Sequence, residues 1–351
     1  MSEVSHQAIT VKFMSRGLPK GREPHLFLRQ FPGLQPKWGN CRFVFDVDCR
    51  DYDWLVVYHD IPKDGKFRVQ QHLDCPRQKT MLITTEPSTV TVYGSDYLRQ
   101  FGTIVTFQEP WAMPHRNVVF RPPGLVWYYG YDFERALYRS YDEIAAESIE
   151  KTDDISTVCS SKKGRMTLHS QRVGFTMQLK EDLPEMAVFG RGVREMVDKA
   201  ESLQPYRYHV IVENHVAPHH ITEKLPDAFL GYTLPFYHGA PNAADYYPKE
   251  SFVPIDINDY DATLDIIRSI RANNEFEDRL PYIKEARRRV LEEHNLFAVI
   301  DREITRQDEL LPAAAAGGVV LNRRTMRLVR PLAGLRNVAE RIYVKGRHLL
   351  Q

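Results

Sequence analysis

The first 130 residues alternate short apolar runs with polar turns. "AITVKFM", "CRFVFDV", "DWLVVYHD", "KTMLITTE" and "GTIVTFQ" are rich in β-branched and aromatic residues and are bounded by Gly, Pro, Asp or Lys. Runs of this kind predict strands, and segments such as "GSDYLRQF" between them predict short helices. Residues 131–154 are charged and lack Gly and Pro after their first turn, which predicts a helical connector. A second series opens with a strand at "ISTVCSS" (155–161) and a loop at 162–170. It continues as helix 171–182, strand 186–190, helix 192–202, strand 206–214 and a helix from Thr222. Strands at 233–239 and 251–257 and helices at 262–273 and 276–294 complete it. Such alternation predicts a mainly parallel sheet with helices on both faces. Two series in one chain predict two Rossmann-like domains facing a cleft. The expected organisation is an N-terminal α/β domain with its connector over 1–150, a second over 151–304, and a tail over 305–351.

Composition sharpens this picture. The chain's 351 residues suit two domains, and a 43% hydrophobic content supplies their cores. A formal net charge of +1 argues against a polycation built to hold nucleic acid. The charge is uneven, however: residues 323–351 hold eight basic residues against the single acid Glu340. This tail mixes arginines with Leu, Val, Ile and Tyr and is partly amphipathic after Pro331. It predicts either attachment to anionic lipid or a helix packed on the body, and the first reading is preferred. The four cysteines form no CxxC pair, so neither a disulfide framework nor a zinc cluster is expected. No segment has the apolar length of a signal peptide or membrane span. A cytoplasmic protein, peripheral on the inner face of the membrane through residues 323–351, is the expectation.

The chemistry concentrates in "ENHVAPHHITEKLPDAFLGYTLPFYHGAPN" (213–242). Thr222 is a good helix N-cap, which places Glu223 and Lys224 in the first turn. In parallel α/β sheets, ligands bind beyond the carboxyl ends of the strands. A lysine there neutralises phosphate, and a carboxylate accepts from ribose hydroxyls. The alternative is a glutamate that complements the helix dipole beside a solvated lysine. His215 and His219 have i, i+4 spacing, but Pro218 disfavours a helix through them, so pocket-lining histidines are preferred to a metal site. The Asp-x-Asp in "DVDCRDYD" reads as an ordinary turn. Arg172 opens a helix after a strand and loop, where a guanidinium can reach phosphate; the alternative is a surface arginine at a helix start. Glu86, at a strand end in "LITTEPS", is a candidate general base or a turn-forming acid before Pro87.

Together these positions resemble glycosyltransferase family 10, the α-1,3/1,4-fucosyltransferases. The resemblance rests on Tyr206, Glu213, Asn214, Thr222, Glu223, Lys224, Ala228, Pro235, Gly239, Pro241, Ser251 and Phe252 in fixed order, with "RVGFTMQL" and "TTEPS" upstream. It implies a GT-B fold and an inverting, metal-independent transfer from a nucleotide-sugar, GDP-fucose above all, to a glycan or lipid-linked glycan acceptor. It puts Glu86 in the role of base, Arg172 and Lys224 on the donor phosphates, and Glu223 on ribose. Asn214, Tyr246, His209 and His220 fall where base, ribose or sugar contacts are expected. His215, His220 and His209 replace a Ser, a Tyr and a Tyr or Asn of the family pattern. The same fold with another nucleotide-sugar, and a non-catalytic glycan- or nucleotide-binding relative, are the alternatives.

Overall fold

The computed structural model describes residues 8–62, 68–159 and 169–350, with His169 and Ser170 described as backbone only. Most of the loop expected at 162–170 lies outside the described residues. The chain divides into two compact units, Met1–Pro123 with Leu296–Gln351, and Gly124–Asn295. These bounds differ from the expected 1–150, 151–304 and 305–351. The connector joins the second unit, where Arg139 Nη1 donates to Gln204 Oε1 (3.2 Å) and Lys151 Nζ to the Gly231 carbonyl (2.6 Å). The C-terminal segment joins the first.

In the first unit, the strands run in the order Lys37–Trp38, Cys41–Val44, Ile9–Ser15, Trp54–Tyr58, Thr80–Ile83, Thr103–Thr106 and Val118–Phe120. All neighbours are parallel except Lys37–Trp38 with Cys41–Val44. The central strands are buried on both faces, which explains why they read as continuous rather than alternating apolar runs. The returning helix Leu296–Asp308 seats Phe297 in an aromatic cluster, stacked on Phe31 at 4.0 Å and edge-on to Phe43 at 4.9 Å. Its Asp301 accepts from the amides of Asn40 (2.8 Å) and Cys41 (3.2 Å). Gly39 permits this approach: its φ is +49°, and a Cβ there would collide with the Asp301 carboxylate.

The tail packs on this unit. Val319–Leu321 pairs antiparallel with Gln70–His72, and the helices Arg323–Val329 and Pro331–Leu349 follow. Arg323 Nε meets Asp60 at 3.2 Å, Arg336 meets Asp96 at 2.7 Å, and Glu340 accepts from the Ser95 amide at 3.1 Å. One side of Pro331–Leu349 is therefore docked through Ala333, Asn337 and Val344, while Leu332, Leu335, Ile342 and Leu349 stay exposed.

The second unit holds five parallel strands in the order Ala187–Phe189, Asp153–Val158, Tyr206–Val212, Leu234–His238 and Val253–Pro254. Chain direction across the sheet reverses between Asp153–Val158 and Tyr206–Val212, so the space beyond their carboxyl ends is the expected ligand position. Both units are thus Rossmann-like α/β folds, as the alternation predicts.

Two predicted helices are shorter than expected. Within 131–154, Asp132 accepts from the amides of Glu134 and Arg135, and the turn closes a hairpin of Tyr131–Asp132 with Leu137–Tyr138. Only Tyr141–Ala146 is helical there, started by a Ser140–Glu143 capping box. Over 192–202, Gly190 and Gly192 take positive φ, and Asp198 caps a single 3₁₀ turn at Lys199–Ser202.

Candidate functional site

Three segments converge at the reversal point of the second unit. The helix His169–Asp182 follows Asp153–Val158 and carries Arg172. Tyr206–Val212 delivers Glu213 and Asn214 at its carboxyl end, and the Lys224–Leu230 helix follows the histidine-bearing loop. Arg172 Nη1 donates to Asn214 Oδ1 at 2.7 Å. This guanidinium is only 7% exposed. Among the described residues it meets no carboxylate, and its buried Nε has no acceptor. A buried cation with an unspent N–H is costly unless an anion completes it.

Glu213, fully buried, organises the other half. Its carboxylate accepts from the Thr222 amide (3.0 Å), the Thr222 hydroxyl (2.7 Å) and Lys224 Nζ (3.0 Å). Gly239 makes room for it, since a Cβ there would stand 2.8 Å from the Glu213 side chain and against the Tyr237 ring. Lys224 also reaches Thr222 Oγ1 at 3.0 Å and Glu223 Oε1 at 3.5 Å. Burial pulls the Lys224 pKa down, but Glu213 and Glu223 outweigh it, so the ammonium is held above the ordinary lysine range. Burial likewise raises the Glu223 pKa, yet Lys224 and Lys199 prevail and it falls to about 2. Both side chains are charged at neutral pH and remain about one-fifth exposed, at 22% and 18%. An ammonium and a carboxylate are thereby presented side by side, each held by neighbours rather than by mobile solvent.

The cap differs from expectation. Helix geometry starts at Lys224 with Glu223 at the N-cap, while Thr222 Oγ1 donates to Glu213 and still accepts from the Lys224 amide at 3.4 Å.

The histidines separate. His220 is buried, and burial lowers its pKa to about 4 in the field of Glu213, His215 and Lys224. His215 lies edge-on to it with ring centroids 5.3 Å apart. His209 does not join them. It sits mid-strand, fully buried, with Nδ1 2.7 Å from Ser156 Oγ, and burial drives its pKa to about 3. The donor contact expected of His209 is therefore corrected to a structural one, because its position on Tyr206–Val212 lies well short of the carboxyl end. Tyr246 belongs to a second polar group, with its hydroxyl 2.6 Å from His219 Nδ1 and Asn242 Oδ1 accepting from the His219 amide at 2.7 Å. Among the described residues, no group of three or more His, Cys, Asp or Glu side chains is arranged to hold a metal ion.

Glu86 stands in the first unit, just beyond the carboxyl end of Thr80–Ile83, and is half-buried. Gln108 Nε2 fixes its carbonyl at 2.6 Å. Thr85 beside it is clamped by the Tyr93 hydroxyl on its amide (3.2 Å) and by His59 Nδ1 on its own hydroxyl (2.8 Å). Burial lowers the His59 pKa to about 4, and Arg323 and Arg16 add to the effect. A carboxylate on a turn held at three points is suited to take a proton at a fixed position.

Comparison with known proteins agrees with the motif. Residues 150–280 match the family described as glycosyltransferase family 10 (fucosyltransferase), C-terminal domain. The α-(1,3)-fucosyltransferase FucT of Helicobacter pylori is 32% identical over 85 residues, covering 24% of this chain and 18% of that protein. The match thus spans less than a fifth of that relative. A crystal structure of an α1,3-fucosyltransferase is similar over 85% of this chain and 93% of that one, at 14% identity and a TM-score of 0.45. An α1,3-fucosyltransferase with GDP-fucose gives 16% identity over 84% of this chain and 93% of that one, with a TM-score of 0.45.

Proposed function

We propose that this chain, with its family 10 match over residues 150–280, is a glycosyltransferase of GT-B type that moves fucose from GDP-fucose to a glycan hydroxyl with inversion. The observation that carries the reading is Arg172: buried, bonded to the neutral Asn214, lacking an acceptor at Nε, and at the reversal point of a parallel sheet. A diphosphate supplies the missing acceptor. Lys224, charged and held by Glu213, meets the charge that develops on the departing nucleoside diphosphate. Glu223 accepts from ribose hydroxyls, and Asn214 and His220, the latter neutral, orient the donor. Glu86 takes the proton of the acceptor hydroxyl as that oxygen attacks the anomeric carbon and the diphosphate leaves.

Fucose is one choice among nucleotide-sugars. Thermal stabilisation of the chain across GDP-fucose, other GDP-sugars and UDP-sugars discriminates between them. GDP-fucose is expected to raise the melting temperature most. Stabilisation by UDP-sugars alone would replace the donor, and stabilisation by GDP-fucose with neither transfer nor hydrolysis would favour a non-catalytic relative.

The acceptor is proposed to be a lipid-linked glycan met at the inner membrane face. No helix among the described residues is long and apolar enough to cross a membrane. The exposed row Leu332, Leu335, Ile342 and Leu349 on a helix with arginines supports surface attachment. Leu335→Glu with Ile342→Glu is expected to abolish flotation with anionic liposomes while leaving the melting temperature within about 2 °C, as for exposed substitutions. Undiminished flotation would remove the attachment.

A further inference from the structure

A second basic site lies in the first unit. A cavity of about 140 Å³ opens between the 90–97 loop and the two C-terminal helices, and Arg323, Arg327 and Arg341 line it. Arg323 forms its floor, fixed by Asp60 at 3.2 Å, by His59 Nε2 at 2.8 Å and by the Tyr93 ring 4.9 Å below. Arg327 and Arg341 have no carboxylate within ion-pair distance among the described residues. Two acids line the same cavity: Asp96 is paired with Arg336 at 2.7 Å, and Glu340 accepts from the Ser95 amide at 3.1 Å and keeps its charge. The guanidiniums oppose one another, since burial and then the charges of Arg341 and Arg323 pull the Arg327 pKa down. Arg323, Arg327, Arg341 and Arg336 together outnumber Asp60, Asp96 and Glu340 by one, and the forked donors of Arg327 and Arg341 match phosphoryl oxygens.

The position of the cavity assigns its ligand. Its wall, the 90–97 loop, is the continuation of the Glu86 turn. Tyr93 lies under Arg323 and holds the Thr85 amide with its hydroxyl. His348, from the end of the Pro331–Leu349 helix, bonds Ser88 at 2.7 Å, two residues past Glu86. A group bound at the arginines is therefore anchored on the same loop that presents the base.

We propose that the acceptor carries a phosphoryl group, and that Arg323, Arg327 and Arg341 hold it while a hydroxyl of the attached glycan reaches Glu86. This rests on the glycosyltransferase reading and narrows its acceptor class. Binding at the cavity is measured apart from activity. Pyrophosphate is titrated calorimetrically into the full chain with GDP in excess. Wild-type protein is expected to bind it, and Arg327→Gln with Arg341→Gln to bind at least about tenfold more weakly, the usual range for lost charged hydrogen bonds. Arg324→Gln with Arg330→Gln removes the same charge from positions of the segment that do not line the cavity and should change affinity by less than about twofold. No pyrophosphate binding to wild type, or equal losses in the two double variants, would overturn the site. Phosphatidylglycerol vesicles that bind wild type and lose it only with Arg327 and Arg341 would give the cavity to a lipid headgroup and overturn the acceptor assignment. Failure of GDP itself to bind would count against the donor reading alone, because the comparison of the two arginine pairs does not depend on it.

Discussion

Lys224→Ala should lose nucleotide binding and folding stability together, and the two losses should be separable. The ammonium is one of the groups neutralising Glu213, which is completely buried. Removing it leaves that carboxylate with only the amide and hydroxyl of Thr222. Breaking a fully buried ion pair costs about 3–5 kcal/mol, and because Lys224 is 22% exposed the expected loss here is about 2–3 kcal/mol. Glu213→Gln with Lys224→Ala removes the stranded charge while keeping an acceptor for Thr222, so denaturant unfolding should recover more than half of that loss. Nucleotide affinity should not recover, because the phosphate contact is gone in both variants. A Lys224→Ala protein with wild-type affinity for GDP would remove the phosphate role. A double variant no more stable than the single would remove the ion-pair account.

Glu86→Gln should reduce turnover by at least about 100-fold, the usual minimum for losing a general base. Donor affinity should stay unchanged, since the nucleotide contacts are proposed on the second unit. The amide is nearly isosteric, and the turn is fixed by Gln108 on the Glu86 carbonyl and by Tyr93 and His59 on Thr85, none of which the substitution touches. The melting temperature should therefore change little. Full activity in Glu86→Gln, measured as fucose transfer at saturating donor, would transfer the base role to another residue. Lost donor affinity would make Glu86 a binding residue instead.

The elements that position the site were legible where local signals act alone. The position of Arg172 at the start of a helix after a strand is legible locally, and that helix does follow the strand at the reversal point, but its phosphate role rests on the resemblance. Glu213 was visible in the motif but had no assigned role. Its function depends on the chain returning nine and eleven residues later to place Thr222 and Lys224 on one carboxylate, which no spacing rule contains. His209 misled for the opposite reason. The resemblance aligns it with a Tyr or Asn expected at the donor, whereas burial and Ser156 satisfy it inside the sheet. The 192–202 segment has helical composition, but the left-handed backbone at Gly192 and the cap at Asp198 confine it to one turn. In the tail, charge and apolar content were plain from the sequence. The docking of Arg323 on Asp60 and of Glu340 on Ser95 requires partners more than 240 residues away.

The central claim is that a nucleoside diphosphate completes the buried guanidinium of Arg172. Calorimetric titration of GDP into wild-type protein and Arg172→Ala tests it most directly. Loss of a charged hydrogen-bond donor predicts binding weaker by about 10- to 100-fold in the variant, with the second unit still folded. Equal affinity of the two proteins for GDP would contradict the account.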